Sequence, residues 1–182
     1  YSMKLIEICK DSFGVEIDLK YASNDNITGK RIFLENRCFL IEEAAIKLKK
    51  AILIAKGLNL GLKIYDAYRP SYVQQALWTF DPNPDFLTNP AKGSPHTKGI
   101  AIDLTLIDLE GKELDMGTKF DDFSNKAYHL SENIEKQVRL NRYMLLSIMT
   151  LAGFDHYLNE WWHYQLFDSS KYPLISDTSN VS

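Results

Sequence analysis

Cysteine is nearly absent from this chain. Only Cys9 and Cys38 occur among 182 residues, which excludes a disulfide-stapled scaffold and a four-thiolate zinc site. Histidine is scarce too. His96, His129, His156 and His163 are the four, so any metal site has to be assembled from imidazoles and carboxylates. Neither sign of charge is in excess: 21 Lys and Arg stand against 24 Asp and Glu, a net charge of −3. That argues against a nucleic-acid or anionic-membrane partner. No run approaches 18 consecutive apolar residues, so no membrane-spanning helix is expected. No charged start followed by an apolar stretch marks a leader. A cytoplasmic location is expected, or a periplasmic one if a leader preceded Tyr1. Repeats and low-complexity tracts are missing as well. What remains is ordinary for a globular chain: 45% apolar and 25% charged residues, enough for one core in a single domain at about 150 residues per domain. That domain is expected to span 1–182, with a frayed polar tail from about 174. None of these features sets an oligomeric state.

Apolar spacing at Ile41, Ala44, Ala45, Leu48, Ile52 and Ala55 predicts a helix from about Ile41 to Lys56, stopped by Gly57. Leu62 to Ala67 reads as a buried strand. After Pro70 a helix starts at about Ser71, where Ser71 and Gln74 have capping-box form. The Asp81-Pro-Asn-Pro-Asp85 stretch and Asn89-Pro90 predict a long irregular loop of the kind that often carries function. Ile100 to Leu106 alternates, predicting a half-buried strand with Asp103 opposite the aliphatic stripe, and Gly111 predicts a hairpin turn after it. A second long helix is expected over about Ile134 to Ala152, capped by Gly153, and an aromatic strand over Trp161 to Phe167. This order does not alternate as βαβ units. It predicts an α+β fold, with helices packed on a small antiparallel sheet.

Three segments carry side chains with chemistry: Tyr65 to Pro70, Ser94 to Asp103, and Glu160 to His163. His96 lies in a Pro/Gly-bounded loop seven residues before Asp103. Alone, the pair also reads as a loop histidine and a solvated strand aspartate. Adding His163 completes two histidines and one carboxylate, a known catalytic zinc ligand set that leaves a fourth position for water. Glu160 then supplies a carboxylate free to act as general base. Residues three apart in a regular strand face opposite ways, so Glu160 and His163 share a site only if Glu160 sits in the turn before the strand or at a bulge. Otherwise Glu160 is a surface residue and His163 packs on an aromatic neighbour. Arg69, held extended before Pro70, can bind a carboxylate or an oxyanion, or form a structural salt bridge with Asp66. Asp121 and Asp122 read equally as a loop or cap pair. His129 and His156 lack partners at metal spacing and are expected at the surface. Cys9 and Cys38 are expected to be buried thiols, Trp161 and Trp162 core and site wall, and Tyr65 a packing residue.

Taken in order, these segments resemble the D-alanyl-D-alanine dipeptidases, the zinc enzymes that include the one required for vancomycin resistance. The likeness runs from about Asp18 to Pro173. It is carried by Leu19-Lys-Tyr-Ala22, Asp25-Asn-Ile-Thr-Gly29, Asp66-Ala-Tyr-Arg-Pro70, the Ser94 to Leu106 segment, Met116-Gly-Thr-Lys-Phe-Asp121, Asn141-Arg142 and Glu160-Trp-Trp-His-Tyr164. The resemblance implies the hedgehog/D,D-peptidase-like fold and hydrolysis of the dipeptide D-alanyl-D-alanine with one Zn²⁺ per chain. It implies that His96, Asp103 and His163 bind the metal, and that Glu160 activates water and protonates the leaving amine. It further implies that Arg69 steadies the carbonyl oxygen, and that Tyr21, Ser94 and Asp121 hold the free amino end. The wider family also contains D,D-carboxypeptidases and peptidoglycan hydrolases, and hedgehog domains share the fold as zinc-stabilised binding modules. Both remain alternatives at this point.

Overall fold

A computed structural model of the chain describes residues 3–176. The tail from Asp177 onward lies outside the described residues. Just before it, Ile175 is buried, and its N–H donates to Thr97 O at 3.1 Å.

The elements run β1 (Leu5–Ile8), α1 (Lys10–Phe13), β2 (Glu16–Ile17), β3 (Cys38–Ile41), α2 (Glu42–Lys56), β4 (Gly61–Asp66), α3 (Ser71–Phe80), β5 (Ala101–Ile107), α4 (Lys136–Ala152), β6 (Asp155–Tyr157) and β7 (Glu160–Gln165). Five strands form the main sheet in the order β2-β4-β5-β7-β6, and β1 pairs antiparallel with β3 in a separate ribbon. The α+β expectation holds. The sheet is antiparallel throughout except that the short β2 runs parallel to β4.

Helices α2 and α4 pack on each other and on the sheet, burying Ala44, Leu48, Ala51, Leu145 and Ile148 against Ile64, Ile102 and Leu104. Both form where helical apolar spacing predicts, and Gly153 closes α4 at φ 104°, a left-handed turn that glycine adopts without a Cβ penalty. A smaller cluster under α3 gathers Tyr21, Phe33, Val73, Leu77 and Leu87.

Four expectations need correction. β5 is buried on both faces, not one, because the Asp103 and Thr105 side is also covered. No capping box starts α3: Pro70 is the N-cap residue, no side chain caps there, and Gln74 turns instead towards Arg69 and Thr88. His129 is not at the surface, having only 2% of its area exposed. Cys9 is exposed, although Cys38 is buried, and both are free thiols.

Candidate metal centre and cavity

The sheet brings the chemical residues together at its middle. β5 and β7 pair so that Asp103 stands opposite His163. β4 pairs with β5 so that Asp66 also stands opposite Asp103, after a register shift between Ile64 and Asp66. That irregularity turns the end of β4 towards the site and starts the segment leading to Arg69. Glu160 opens β7 directly after a turn at Leu158 and Asn159, pairing with Tyr157 across a second register shift. This is the condition that its spacing from His163 demanded. Glu160 Oε2 lies 3.8 Å from His163 Nδ1.

His96, Asp103 and His163 each present one donor atom, and the three atoms lie within 4.8 Å of one another. Asp103 bridges the pair: Oδ2 is 3.2 Å from His96 Nε2, and Oδ1 is 3.0 Å from His163 Nδ1. The outer ring nitrogens are engaged elsewhere. His96 Nδ1–H donates to Ala67 O at 2.8 Å, and His163 Nε2–H donates to Gln165 Oε1 at 2.9 Å. Those bonds set each ring's tautomer and aim one lone pair of each imidazole at the shared point. Gln165 was not expected from sequence, since nothing in its spacing marks it.

The electrostatics of this cluster favour a cation. Burial alone would raise Asp103, but His96 and His163 outweigh it and hold its carboxyl well below the usual range. Burial alone would lower His163, but the hydrogen bond and charge of Asp103 push it up to about 9. The donor set of two imidazoles and a carboxylate therefore fits a divalent ion such as zinc, with room for a further ligand. Glu160 is outside the bonded set. Burial lifts its carboxyl well above the ordinary value, against the pull of His163 and with the push of Asp103 and Asp121. A carboxyl raised in this way can both accept and return a proton.

Arg69 forms the structural ion pair with Asp66 that its sequence context allows, and it also lines the cavity. Its Nε and one terminal nitrogen donate to Asp66 Oδ2 at 2.9 and 2.6 Å, and the other terminal nitrogen donates to Gln74 Oε1 at 2.7 Å. Burial opposes its charge, yet Asp66 outweighs that and keeps it above its ordinary range. A guanidinium has five N–H donors, so these bonds leave others for the cavity that Arg69 helps to line.

That cavity has a volume of about 250 Å³, below the ~300–1,000 Å³ of drug-sized sites, so its occupant must be small. His96, Asp103, His163 and Glu160 line it, and so does the 81–90 loop through Pro84, Phe86, Leu87 and Thr88. Ser94 and Asp121 line it as well. Ser94 Oγ accepts from His96 N at 3.2 Å. Asp121 sits at φ 62°, a left-handed backbone that aspartate tolerates better than most residues. Its carboxylate accepts a hydrogen bond from Tyr21 Oη. Burial raises it, Tyr21 pulls it back and the charge of Asp103 adds to the rise, leaving it at about 7. Tyr21 lies behind Asp121 and stacks its ring against Arg69 at 5.1 Å. It does not line the cavity itself.

The Asp121 loop is held from α4. Arg142, with no exposed area, donates to Met116 O, Tyr128 O and Lys126 O at 2.8, 3.0 and 2.8 Å. Asn141 Nδ2 donates to Asp115 O at 2.8 Å. Gly117 packs so closely that a Cβ there would meet Val138 Cγ1 at 2.7 Å. The Asn141-Arg142 pair was visible in sequence only as a motif. Its role is to anchor this loop by its backbone.

Comparison with known proteins agrees with this geometry. The family model described as D-ala-D-ala dipeptidase, peptidase family M15, matches residues 2–180. The chain is 44% identical over 163 residues to the D-alanyl-D-alanine dipeptidase of Escherichia coli (strain K12), covering 90% of this chain and 84% of that protein. It is 35% identical to the D-alanyl-D-alanine dipeptidase of Enterococcus faecalis (strain ATCC 700802 / V583) and 38% identical to that of Enterococcus faecium, covering 85% of this chain and 87% of the relative in each case. With a match of that extent and relatives of that identity, the chain belongs to the D-ala-D-ala dipeptidase family of peptidases.

Proposed function

We infer that this protein is a single-domain zinc dipeptidase that hydrolyses D-alanyl-D-alanine to two molecules of D-alanine. One observation carries the reading. His96, Asp103 and His163 converge on one point beside Glu160, in a cavity that the carboxylate of Asp121 also lines. His96, Asp103 and His163 would hold the ion. When bound, zinc supplies Lewis-acid polarisation and brings the pKa of water towards about 7.

The chain's own groups account for the rest. Asp121, supported by Tyr21, takes the substrate's ammonium, and Ser94 Oγ, which lines the same cavity, offers a second acceptor. This fixes the dipeptide with its amide over the cluster. Glu160 accepts the proton of the attacking water. It then delivers that proton to the nitrogen of the departing D-alanine, which cannot leave as an anion. Arg69 donates to the carbonyl oxygen as charge collects there, held rigid for that purpose by Asp66 and Gln74. The 81–90 loop and Trp162 exclude bulk water, which strengthens each of these interactions.

A D,D-carboxypeptidase must accept a blocked amino end, and the Asp121 carboxylate opposes that because it demands a positive charge. A binding module has no use for Glu160 and a buried Arg69 at the cluster. The free thiols of Cys9 and Cys38 suit a reducing compartment such as the cytoplasm. Among the described residues no helix is long and apolar enough to cross a membrane. The test is a dipeptide panel before and after chelation. Turnover of D-Ala-D-Ala should stop on chelation and return with zinc, and the L,L isomer and acetyl-D-Ala-D-Ala should be rejected. Activity that survives chelation, or a preference for the L,L isomer, would overturn the reading.

A further inference from the structure

Two hollows meet at Asp121. On one side is the catalytic cavity of about 250 Å³. On the other is a wider cleft of about 770 Å³ with Lys20, Tyr65, Glu113, Lys119 and Trp161 in its walls. Asp121 lines both. Phe120 continues the partition. Its ring lines the wider cleft and stands edge-on to Trp162 at 5.5 Å, a wall of the catalytic cavity. It also packs on Tyr65 at 5.2 Å and on Tyr21 at 5.9 Å. Phe120 is half-buried: it packs against both hydrophobic clusters and keeps part of its ring exposed on the wider cleft.

A dipeptide bound with its ammonium on Asp121 has its amino end at this partition. A further residue joined to that nitrogen would have to pass where Phe120 and Asp121 stand. Beyond them lies a hollow about three times the volume of the cavity, walled by side chains of both charges and suited to a polar peptide segment. We propose that Phe120 determines specificity by closing the passage between the two hollows, so that the wider cleft is a latent subsite for the amino-side extension of a longer D-alanyl-D-alanine peptide. This rests on the D-Ala-D-Ala reading. Asp121 is a second and separate filter. An amide N–H can still donate to its carboxylate but brings no charge, so opening the passage gives partial acceptance of longer peptides and does not convert the enzyme outright.

The experiment measures kcat/KM for D-Ala-D-Ala and for L-Ala-D-Ala-D-Ala with zinc-loaded wild type and the series Phe120→Leu, Phe120→Val and Phe120→Ala, each checked for folding by thermal melt. The tripeptide-to-dipeptide ratio should rise with the volume removed, smallest for Leu and at least about tenfold for Ala, while dipeptide turnover stays within about tenfold of wild type. If Phe120→Ala does not fold, the Leu and Val variants still test the trend. Folded variants with an unchanged ratio, or a Leu variant that gains as much as the smaller ones, would overturn the proposal. A wild type that fails on D-Ala-D-Ala would instead remove the reading beneath it, and that result is seen before any variant is compared.

Discussion

Arg69 and Arg142 are both buried, and they support two parts of the same site by different means: Arg69 stands beside the His96, Asp103 and His163 cluster, and Arg142 holds the loop that carries Asp121. Arg69 is paired with a carboxylate, Asp66, and keeps N–H groups for the cavity. Its charge is offset, so it sits above its ordinary range despite burial. Arg142 donates to three main-chain carbonyls. With main-chain carbonyls as its hydrogen-bond partners, burial brings it down to about 10, even with Asp115 and Asp122 pulling the other way. The first arginine belongs to the strand-built end, where backbone pairing already fixes His163 and Asp103 and the guanidinium is free to face the cavity. The second belongs to the loop-built end, where no sheet holds Asp121 and a side chain has to replace one. The same residue type therefore serves charge at one end and backbone architecture at the other.

Substitutions at the two arginines separate these roles. Arg69→Met should have the largest effect. It should lower kcat by ~10²–10³, the usual cost of an oxyanion donor. It should also destabilise the fold by about 3–5 kcal/mol, because buried Asp66 loses both hydrogen bonds to the guanidinium and is left with the His96 ring, 3.4 Å away, in its place. Steady-state kinetics and denaturant melts measure both, and a variant with normal kcat would remove Arg69 from the chemistry. Arg142→Met should show the reverse pattern. Three carbonyls lose their donor, at ~1–3 kcal/mol each, partly offset by removal of a buried charge. A net loss of roughly 3–5 kcal/mol is expected, with KM for the dipeptide rising and kcat little changed while the protein stays folded. If kcat falls as far as in Arg69→Met, the division between the two ends is wrong.

The smallest effect concerns His129, close to the loop-built end. Neither of its ring nitrogens has a hydrogen-bond partner among the described residues. Burial, with the charges of His156 and Arg142 adding to it, lowers it to about 4. The unfolded chain takes up a proton near the ordinary value of about 6.5 and the folded chain does not. His129 therefore adds stability above about pH 6.5, and this is lost as pH falls towards about 4, by up to about 3 kcal/mol. Melts across that window should show a steeper fall for wild type than for His129→Phe, and equal slopes would assign the acid sensitivity elsewhere.

The chemistry of the site was legible in the sequence because it depends on residue type. Two histidines, an aspartate and a glutamate beside a turn are rare enough together to be read as a set. The helices α2 and α4 were legible because their apolar faces repeat at helical spacing. What escaped depends on where a group finds its partner. Gln74 has the spacing of a cap, but the Arg69 guanidinium outcompetes the helix terminus for it. Gln165 and Arg142 act through contacts made only once β7 and α4 are in place, and main-chain carbonyl partners carry no sequence signature. β1 and β3 are too short for a periodic pattern, and β3 is buried throughout, so it shows no alternation. Ile41 was accordingly drawn into the helix that follows it. His129 was misplaced because nothing local distinguishes a buried unpaired imidazole from a solvated one.

We propose that His96, Asp103 and His163 hold the ion while Glu160 acts beside it without binding it. The most direct measurement is metal content and zinc affinity in wild type, Glu160→Gln and His163→Ala, together with D-Ala-D-Ala turnover in each. One zinc per chain is expected in the first two and little in the third, with turnover in Glu160→Gln down by ~10²–10⁴. Zinc retained at wild-type affinity in His163→Ala, or full turnover in Glu160→Gln, would contradict it.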